Sequence, residues 1–415
     1  MEKTCYYILA CTSVLLQISC SCVAVKKSTT PAVDQFSLFV LKSHVNLDPY
    51  GIITSNWTNS SSICSWIGVT CDLRNHRVTA LNISHMSLSG TIPPQIENLS
   101  FLVSLDLSFN LFSGVIPQQL SLLHRLKFIS LQNNSFTGFI PSSLSNLTNL
   151  RVVDFSLNSL QGNIPHVLGR LHNLHTLNMD YNHLSGHIPS SVFNLSALKV
   201  ISFRGNELTG SIPSDLCSKL PLLQEIDLYF NKLSGELPLN LSECSQLRLV
   251  SLSDNLFSGK IPREIVKLKF LRILHLANNN LNGTIPHILV EQGVIPFEIG
   301  NLQNLTEFAI DQNQISGTIP LSIFNISSLQ LLRLYHNHLY GNLPKDIGNL
   351  TKLNELDISV NNLSVELPLT LKPQSADRPL PESLLSSPEE PIFFSKQSLN
   401  LDFSYEKLSL REQQK

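Results

Sequence analysis

The stretch that decides the fold runs from Leu102 to Leu120, LVSLDLSFNLFSGVIPQQL, with Leu102, Leu105, Leu107, Asn110, Leu111, Gly114, Ile116, Pro117 and Leu120 as its fixed points. In Leu105-Asp106-Leu107 the two Leu side chains point one way and the residue between them the other, the period of two that marks a β-strand. So short a strand cannot bury its own Leu side chains and needs a copy of itself on either side. The sequence provides the copies. The dipeptide Ile/Leu-Pro recurs at 92, 116, 140, 164, 188, 212, 237, 261, 285, 295, 319, 343 and 367, mostly 24 residues apart, once 25 and once 10. Around each regular site the pattern is LxxLxLxxNxLxGxIPxxLxxL.

A period of that length is the mark of stacked supersecondary units, each unable to close a core alone. The expected fold class is an α/β solenoid. Coils stacked at strand spacing, about 4.8 Å, share one apolar interior and pair their backbones in a parallel sheet; a dozen of them give a sheet roughly 55 Å long. The recurrent Asn (110, 134, 158, 182, 206, 231, 255, 279, 313, 337, 361) follows each strand where the chain turns away. Its amide both donates and accepts, so it can satisfy turn groups otherwise buried unpaired. Gly before Ile-Pro permits the turn, and Pro removes a donor where no ladder partner is needed. Met86 replaces the Asn in the first coil, as a coil grading into a cap would allow. At 286–296 two Ile-Pro motifs stand ten residues apart with no LxLxxN between them, and a local bulge is expected, with the stack resuming at 308–310.

Composition narrows the partners. The chain has 415 residues, 29 Lys+Arg against 31 Asp+Glu, 14% charged and 42% hydrophobic. It is too apolar to be disordered as a whole, and a net charge of −2 offers no field for nucleic acid. Residues 6–18 (YYILACTSVLLQI) behind Lys3 read as a secretory signal peptide covering 1–24. A signal anchor is the rival reading, since Lys26 and Lys27 follow. Cleavage would remove Cys5, Cys11, Cys20 and Cys22 and leave Cys64, Cys71, Cys217 and Cys244. Asn-x-Ser/Thr sequons at Asn56, Asn59, Asn82, Asn98, Asn133, Asn146, Asn194, Asn240, Asn282, Asn304, Asn325, Asn349 and Asn362 agree with a secreted, glycosylated chain. The thirteen His would make it more basic in mildly acidic surroundings.

A solenoid exposes apolar core at both ends and needs caps. At the front, residues 25–77, Asp34 is expected to cap a helix over 35–44 with Phe36, Phe39 and Val40 on one face. The turn Asp48-Pro49-Tyr50-Gly51 follows, then Trp57 and Cys64-Ser-Trp66-Ile-Gly68-Val69-Thr-Cys71. A Cys64–Cys71 disulfide is expected there; no further Cys or His at zinc-ligand spacing accompanies the pair. Cys217 and Cys244 sit at similar places in consecutive coils, and a second bridge or a free buried pair both fit.

The order DPxG…W…CxWxGVxC, followed by LxxLxLxxNxLSGxIPxxLxxL coils, resembles the ectodomains of plant leucine-rich-repeat receptor-like kinases and receptor-like proteins, over roughly residues 30–372. The resemblance implies a right-handed leucine-rich-repeat superhelix with a parallel sheet on its concave side and a helical, disulfide-pinned front cap. It implies an extracellular or cell-surface protein that recognises a peptide, protein or glycan-derived ligand in defence or development, with a leucine-rich-repeat kinase as co-receptor. No cofactor or metal is implied. A secreted inhibitor similar to polygalacturonase-inhibiting proteins is the alternative, weakened because no paired Cys closes the far end.

The chain departs from the family pattern after Pro368. The repeats are expected over 78–372, and 373–415, rich in Pro, Ser and charge, is expected to be a disordered tail without a membrane span. No Gly-rich phosphate loop, HRD or DFG appears, so no catalysis is expected. Binding is expected on the sheet face, at residues free to vary without cost to the core: Asp180, Tyr181, Arg204, Tyr229, Phe230, Asp254, His275, Asp311, Arg333, Tyr335 and His336.

Overall fold

A computed structural model describes residues 30–282, 295–343, 345–364 and 393–395. The expected signal segment, most of the tail and the interval 286–294 lie outside the described residues.

Each coil contributes one three-residue strand to a long sheet, from Ser104–Asp106 through Phe128–Ser130 and Val152–Asp154 to Glu355–Asp357. Neighbours pair in parallel with the inward residue always opposite its equivalent, as in Leu81↔Leu105 and Leu105↔Ile129. That register is forced: a slip of one residue would turn every inward Leu to solvent. The inward column is buried from Leu81 at 0% to Leu356 at 9% exposure. After most Ile-Pro pairs a short 3-10 turn, such as Gln118–Leu122 with Pro117 at its N-cap position, runs across the opposite side; after Ile212-Pro213 the short α-helix Leu216–Lys219 takes its place.

The recurrent Asn performs the service its chemistry suggests. Asn110 donates from Nδ2 to the carbonyls of Ile83, Leu107 and Ser108, and its Oδ1 accepts from the backbone N–H of Met86 and Leu88. The same pattern repeats at Asn182, Asn255 and Asn337, so one side chain satisfies groups on two successive coils.

A second sheet was not foreseen. The residues before Ile-Pro, for example Leu111–Val115 and Ser135–Phe139, form their own parallel ladder of nine strands, from Ser89–Gly90 to Asn280–Leu281. A three-stranded sheet starts at Ser316–Gly317, and among the described residues a single bridge, Asn282↔Gln314, remains between the two. The doubled Ile-Pro segment therefore interrupts this second ladder. The long sheet passes it without a break, Ile273 pairing with Glu307 and Leu274 with Phe308.

The front cap closes both sheets with antiparallel strands: Val45–Leu47 on Ser89–Gly90 and Val69–Cys71 on Val78–Asn82. Cys64–Cys71 is bridged, and Trp57 stacks on Trp66 beneath it at a centroid distance of 5.5 Å. One expectation is corrected here. The first helix spans Pro31–Ser43, with Thr30 at its N-cap position and Asp34 inside its first turn. Pro31 suits the first helical position, where no N–H partner is required. Asp34 is buried and accepts from Arg77 Nε and Nη2, at 2.8 and 2.7 Å, and from Val78 N–H at 2.8 Å. The inward face is accordingly Ser37, Leu38 and Leu41, while Phe36 is 57% exposed.

At the other end the expectation of an entirely disordered tail is also amended. The backbone of Phe393–Ser395 pairs antiparallel with Glu355–Asp357, so the long sheet finishes as it starts. Cys217 and Cys244, left open by the sequence, form a disulfide across two stacked coils, with Cα atoms 4.9 Å apart.

Candidate functional site

On every coil five positions face outward on the long sheet; in the coil of Leu105 they are Val103, Ser104, Asp106, Ser108 and Phe109. Because register is strict, each position becomes a column running the length of the sheet. The expected binding residues fall in three of these. His275 and Arg333 stand in the Asp106 column; Asp180, Arg204, Tyr229, Asp311 and Tyr335 in the Ser108 column; Tyr181, Phe230, Asp254 and His336 in the Phe109 column.

The Phe109 column holds a feature that sequence reading missed. Its residues take the left-handed backbone conformation, with φ of 48° at Tyr181, 54° at Phe230 and Asp254, and 52° at His336. For a bulky L-residue this costs on the order of 1–2 kcal/mol. The ladder offsets the cost: Tyr181 N–H bonds to Arg204 O, Phe230 N–H to Ser253 O and His336 N–H to Ser359 O, at 2.6 to 3.0 Å. Gly205 occupies the same column, and a Cβ there would meet the Tyr181 ring at 2.4 Å. Its lack of a side chain gives that ring its place.

Two groups of polar and aromatic side chains result. In the first, the Arg204 guanidinium lies 5.6 Å from the Tyr181 ring centroid and 5.1 Å from that of Tyr229, and Phe230 tilts against Tyr229 at 6.0 Å. Arg204 Nε is 3.7 Å from Asp227 Oδ2. Beneath them Asp180 accepts from Ser202 Oγ at 2.6 Å and from the Arg204 N–H at 2.8 Å. Burial pushes the Asp180 carboxyl up to about 7; the Ser202 hydrogen bond opposes this and the charge of Asp227 adds to it. Asp254 stands on the next coil, bonded to Asn278.

The second group begins at His275, whose Nε2 lies 2.9 Å from Glu307 Oε2, an ion-pair distance without hydrogen-bond alignment. The His275 ring holds the Glu307 carboxyl below its ordinary range. Arg333 pairs with Glu355 at 2.5 Å, and Gln312 bonds to the Tyr335 hydroxyl. Asp311 differs from expectation: it is buried, 5% exposed, and its Oδ1 has no hydrogen-bond partner among the described residues. Burial raises its pKa, against the opposing influence of its own backbone N–H and of Arg333. It lies in the floor, where Tyr335 and Arg333 bear on it.

Between the two groups the sheet is low. From Tyr229 to Tyr335 the Ser108 column reads Ser253, Ala277 and Asp311, the first and last of them buried. Four coil steps at about 4.8 Å separate the two Tyr by roughly 19 Å, the span of about six residues of extended peptide. No sequon falls in the Ser104, Asp106, Ser108 or Phe109 columns from Val152 onward, whereas Asn82 and Asn133 lie in them on earlier coils. Glycans at the remaining sequons would leave this stretch bare.

The sequence matches the model of the leucine rich repeat N-terminal domain over residues 31–72. The leucine rich repeat model matches eight windows, 77–99, 101–123, 125–147, 173–195, 197–219, 222–244, 270–291 and 328–350. The chain is a leucine-rich-repeat protein. Among curated relatives, this leucine-rich-repeat chain is similar to the LRR receptor-like serine/threonine-protein kinase EFR of Arabidopsis thaliana, 38% identical over 100 residues, 24% of this chain and 9% of that one. Among solved structures it is similar to PEPR1–AtPEP1, with 32% identity, TM-score 0.67 and coverage of 80% of this chain and 48% of that chain. It is also similar to the plant peptide hormone receptor RGFR1 in complex with RGF2, with 28% identity, TM-score 0.60 and coverage of 72% and 57%. The matched stretches span 8% and 9% of the curated relatives, and the chain spans about half of PEPR1. Among the described residues no helix is long and apolar enough to cross a membrane, and no three His, Cys, Asp or Glu gather as a metal site.

Proposed function

We propose that this leucine-rich-repeat protein is a non-catalytic, extracellular recognition domain of receptor type, and that its ligand is an extended peptide laid along the long sheet between Tyr229 and Tyr335. The observation that carries the reading is the low floor of Ser253 and Ala277 bounded by two aromatic and charged groups. Rigid aromatic rings beside a desolvated floor are the arrangement in which a few residues supply most of a binding energy. Asp180, Asp227, Glu307 and Glu355 flank the floor, Arg204, Arg333 and His275 lie among them, and a peptide of mixed charge suits that alternation. The receptor context is supported by the likeness to PEPR1 and RGFR1, and a second leucine-rich-repeat protein acting as co-receptor belongs to the same reading.

The test is selection of a random extended-peptide display library on the purified full chain, repeated with Tyr229→Ala and Tyr335→Ala. Sequences enriched on the wild type and lost on both variants are expected. Equal enrichment on wild type and variants would remove the proposed location.

A further inference from the structure

On the coils of Phe308, Leu332 and Leu356 the outward positions of the long sheet hold four carboxylates, Glu307, Asp311, Glu355 and Asp357, against one guanidinium, Arg333. Three of the four acids are served. Glu307 faces His275 Nε2 at 2.9 Å, and Glu355 holds Arg333 at 2.5 Å. Asp357 accepts from the Ser359 N–H and hydroxyl, at 3.1 and 2.7 Å. Asp311 is the most buried of the four, and its Oδ1 has no hydrogen-bond partner among the described residues.

Asp180 shows how the fold treats an acid in the same column. It accepts from Ser202 Oγ and from the Arg204 N–H, both one coil on. At Asp311 the residue equivalent to Ser202 is Arg333, and its guanidinium turns instead to Glu355 on the following coil. The residue equivalent to Arg204 is Tyr335, whose hydroxyl accepts from Gln312 in Asp311's own coil, so that its ring reaches back beside the carboxyl. Burial raises the Asp311 pKa, and its own backbone N–H, Arg333 and the Tyr335 hydroxyl oppose this only in part. The scaffold does not demand an acid here, since the column holds Ser156, Ser253, Ala277 and Ser359 on other coils. A buried carboxylate with an oxygen to spare destabilises the fold. Keeping one where Ser or Ala would serve points to a use outside the fold. Ala277 and Ala309, its neighbours in the sheet, carry nothing beyond Cβ and leave room on the side of the floor.

We infer that Asp311 is the specificity-determining residue of the peptide site, its free carboxylate oxygen taking the ammonium or guanidinium of a Lys or Arg side chain of the ligand. This rests on the peptide reading above and adds the chemistry of one ligand position to it. The ligand cation does for Asp311 what His275 does for Glu307 and Arg333 for Glu355. It enters over Ala277 and lies between the carboxylate and the Tyr335 ring, where a charge-assisted hydrogen bond and an aromatic face act together. A neutral donor would fill the same oxygen but leave the surplus of negative charge on these coils uncompensated. Ser253 and Ala277, on the way in, offer no competing charge.

The experiment takes peptides enriched from the display library on the full wild-type chain and synthesises each in three forms: the parent, the parent with its Lys or Arg replaced by Gln, and the N-acetylated parent. Affinities are measured for the wild type, for Asp311→Asn and for Glu225→Gln, which neutralises an exposed acid of the same face away from the floor. Expected are a basic residue at one fixed position and a loss of roughly tenfold or more when either that residue or Asp311 is neutralised. Neutralising both should cost little more than neutralising one. Glu225→Gln and N-acetylation should change nothing. Asp311→Asn should unfold at pH 7 at a temperature no lower than the wild type, because it relieves a buried charge. A lower unfolding temperature would make Asp311 part of the scaffold and overturn the assignment. Loss on acetylation, with the side-chain replacement harmless, would overturn the Lys or Arg assignment in favour of the free amino end. Peptides that need Tyr229 and Tyr335 but bind Asp311→Asn undiminished would overturn this inference and leave the peptide reading standing. If no enriched peptide depends on either Tyr, both fall.

Discussion

Ser202 donates its hydroxyl proton to the Asp180 carboxylate across one coil step, at 2.6 Å, and this bond does not suffice to keep Asp180 an ordinary acid. Burial dominates and the neighbouring Asp227 adds to it, so the folded-state pKa stands at about 7. An acid whose pKa is raised by folding binds its proton more tightly in the native state. The native state therefore gains stability below the unfolded value, roughly 3.9, and loses it as pH rises toward 7, at up to about 1.4 kcal/mol per pH unit. Asp180→Asn cannot ionise and lacks this dependence. Thermal unfolding of the two proteins from pH 4 to 8 should show the wild type falling relative to Asp180→Asn up to about pH 7 and running parallel above it. Parallel curves throughout would mean that Asp180 is already ionised in the folded protein at low pH.

Arg204 is held chiefly by rings. Its guanidinium lies within about 6 Å of two aromatic centroids, where each cation–π contact contributes about 0.5–1 kcal/mol at a partly exposed site. Arg204→Ala is expected to lower unfolding stability by about 1 kcal/mol, and Arg204→Lys by less. A double-mutant cycle with Tyr229→Ala isolates the contact, because the Asp227 pairing, at 3.7 Å, persists in both backgrounds. A coupling of about 0.5 kcal/mol or more is expected from urea unfolding, and strict additivity would show that the ring contributes nothing to holding the guanidinium.

The buried Asp34–Arg77 pair joins the cap helix to the first coil, since the same carboxylate also accepts from Val78 N–H. Removing one member leaves an uncompensated buried charge, a loss of about 3–5 kcal/mol. Asp34→Ala and Arg77→Ala should each open the cap, while Asp34→Leu/Arg77→Met should recover part of the loss. Hydrogen exchange at residues 31–83 reports it directly: protection should fall there in the single variants and stay native in the coils beyond Asn206.

These cases show which parts of the molecule the sequence makes legible. The Asn110 ladder and the inward Leu columns were readable because each partner sits one period away, so the repeat itself states who meets whom. Asp34 was misread because nearby residues suggest a helix cap, whereas its actual partner Arg77 is 43 residues further on. The second ladder was missed because Ser135–Phe139 alternates no apolar pattern; it forms because the first ladder has already aligned the coils. The left-handed turn at Tyr181 and Phe230 runs against the preference of bulky residues, and only the N–H bond to the next coil makes it affordable. The columns holding the candidate site were legible. The burial of Asp311 was not, since it depends on where Tyr335 and Arg333 lie.

Gly205 offers the most local test of the proposed site. Its φ of 65° is one that Tyr181, Phe230 and His336 adopt in the same column, so backbone conformation alone does not demand glycine there. Space does: an added Cβ would lie 2.4 Å from Tyr181 Cδ1 and 2.8 Å from Cε1. Gly205→Ala must therefore swing the Tyr181 ring away from Arg204, and it adds the usual strain of a left-handed Ala, on the order of 1 kcal/mol. If the proposed peptide site uses the Tyr181–Arg204–Tyr229 arrangement, Gly205→Ala should weaken binding of a selected peptide about as much as Tyr181→Ala does. Combining the two substitutions should then cost little more than either alone. Full binding by Gly205→Ala, with near-UV circular dichroism showing a displaced Tyr, would take Tyr181 out of the site and leave Tyr229 and Tyr335 to carry it.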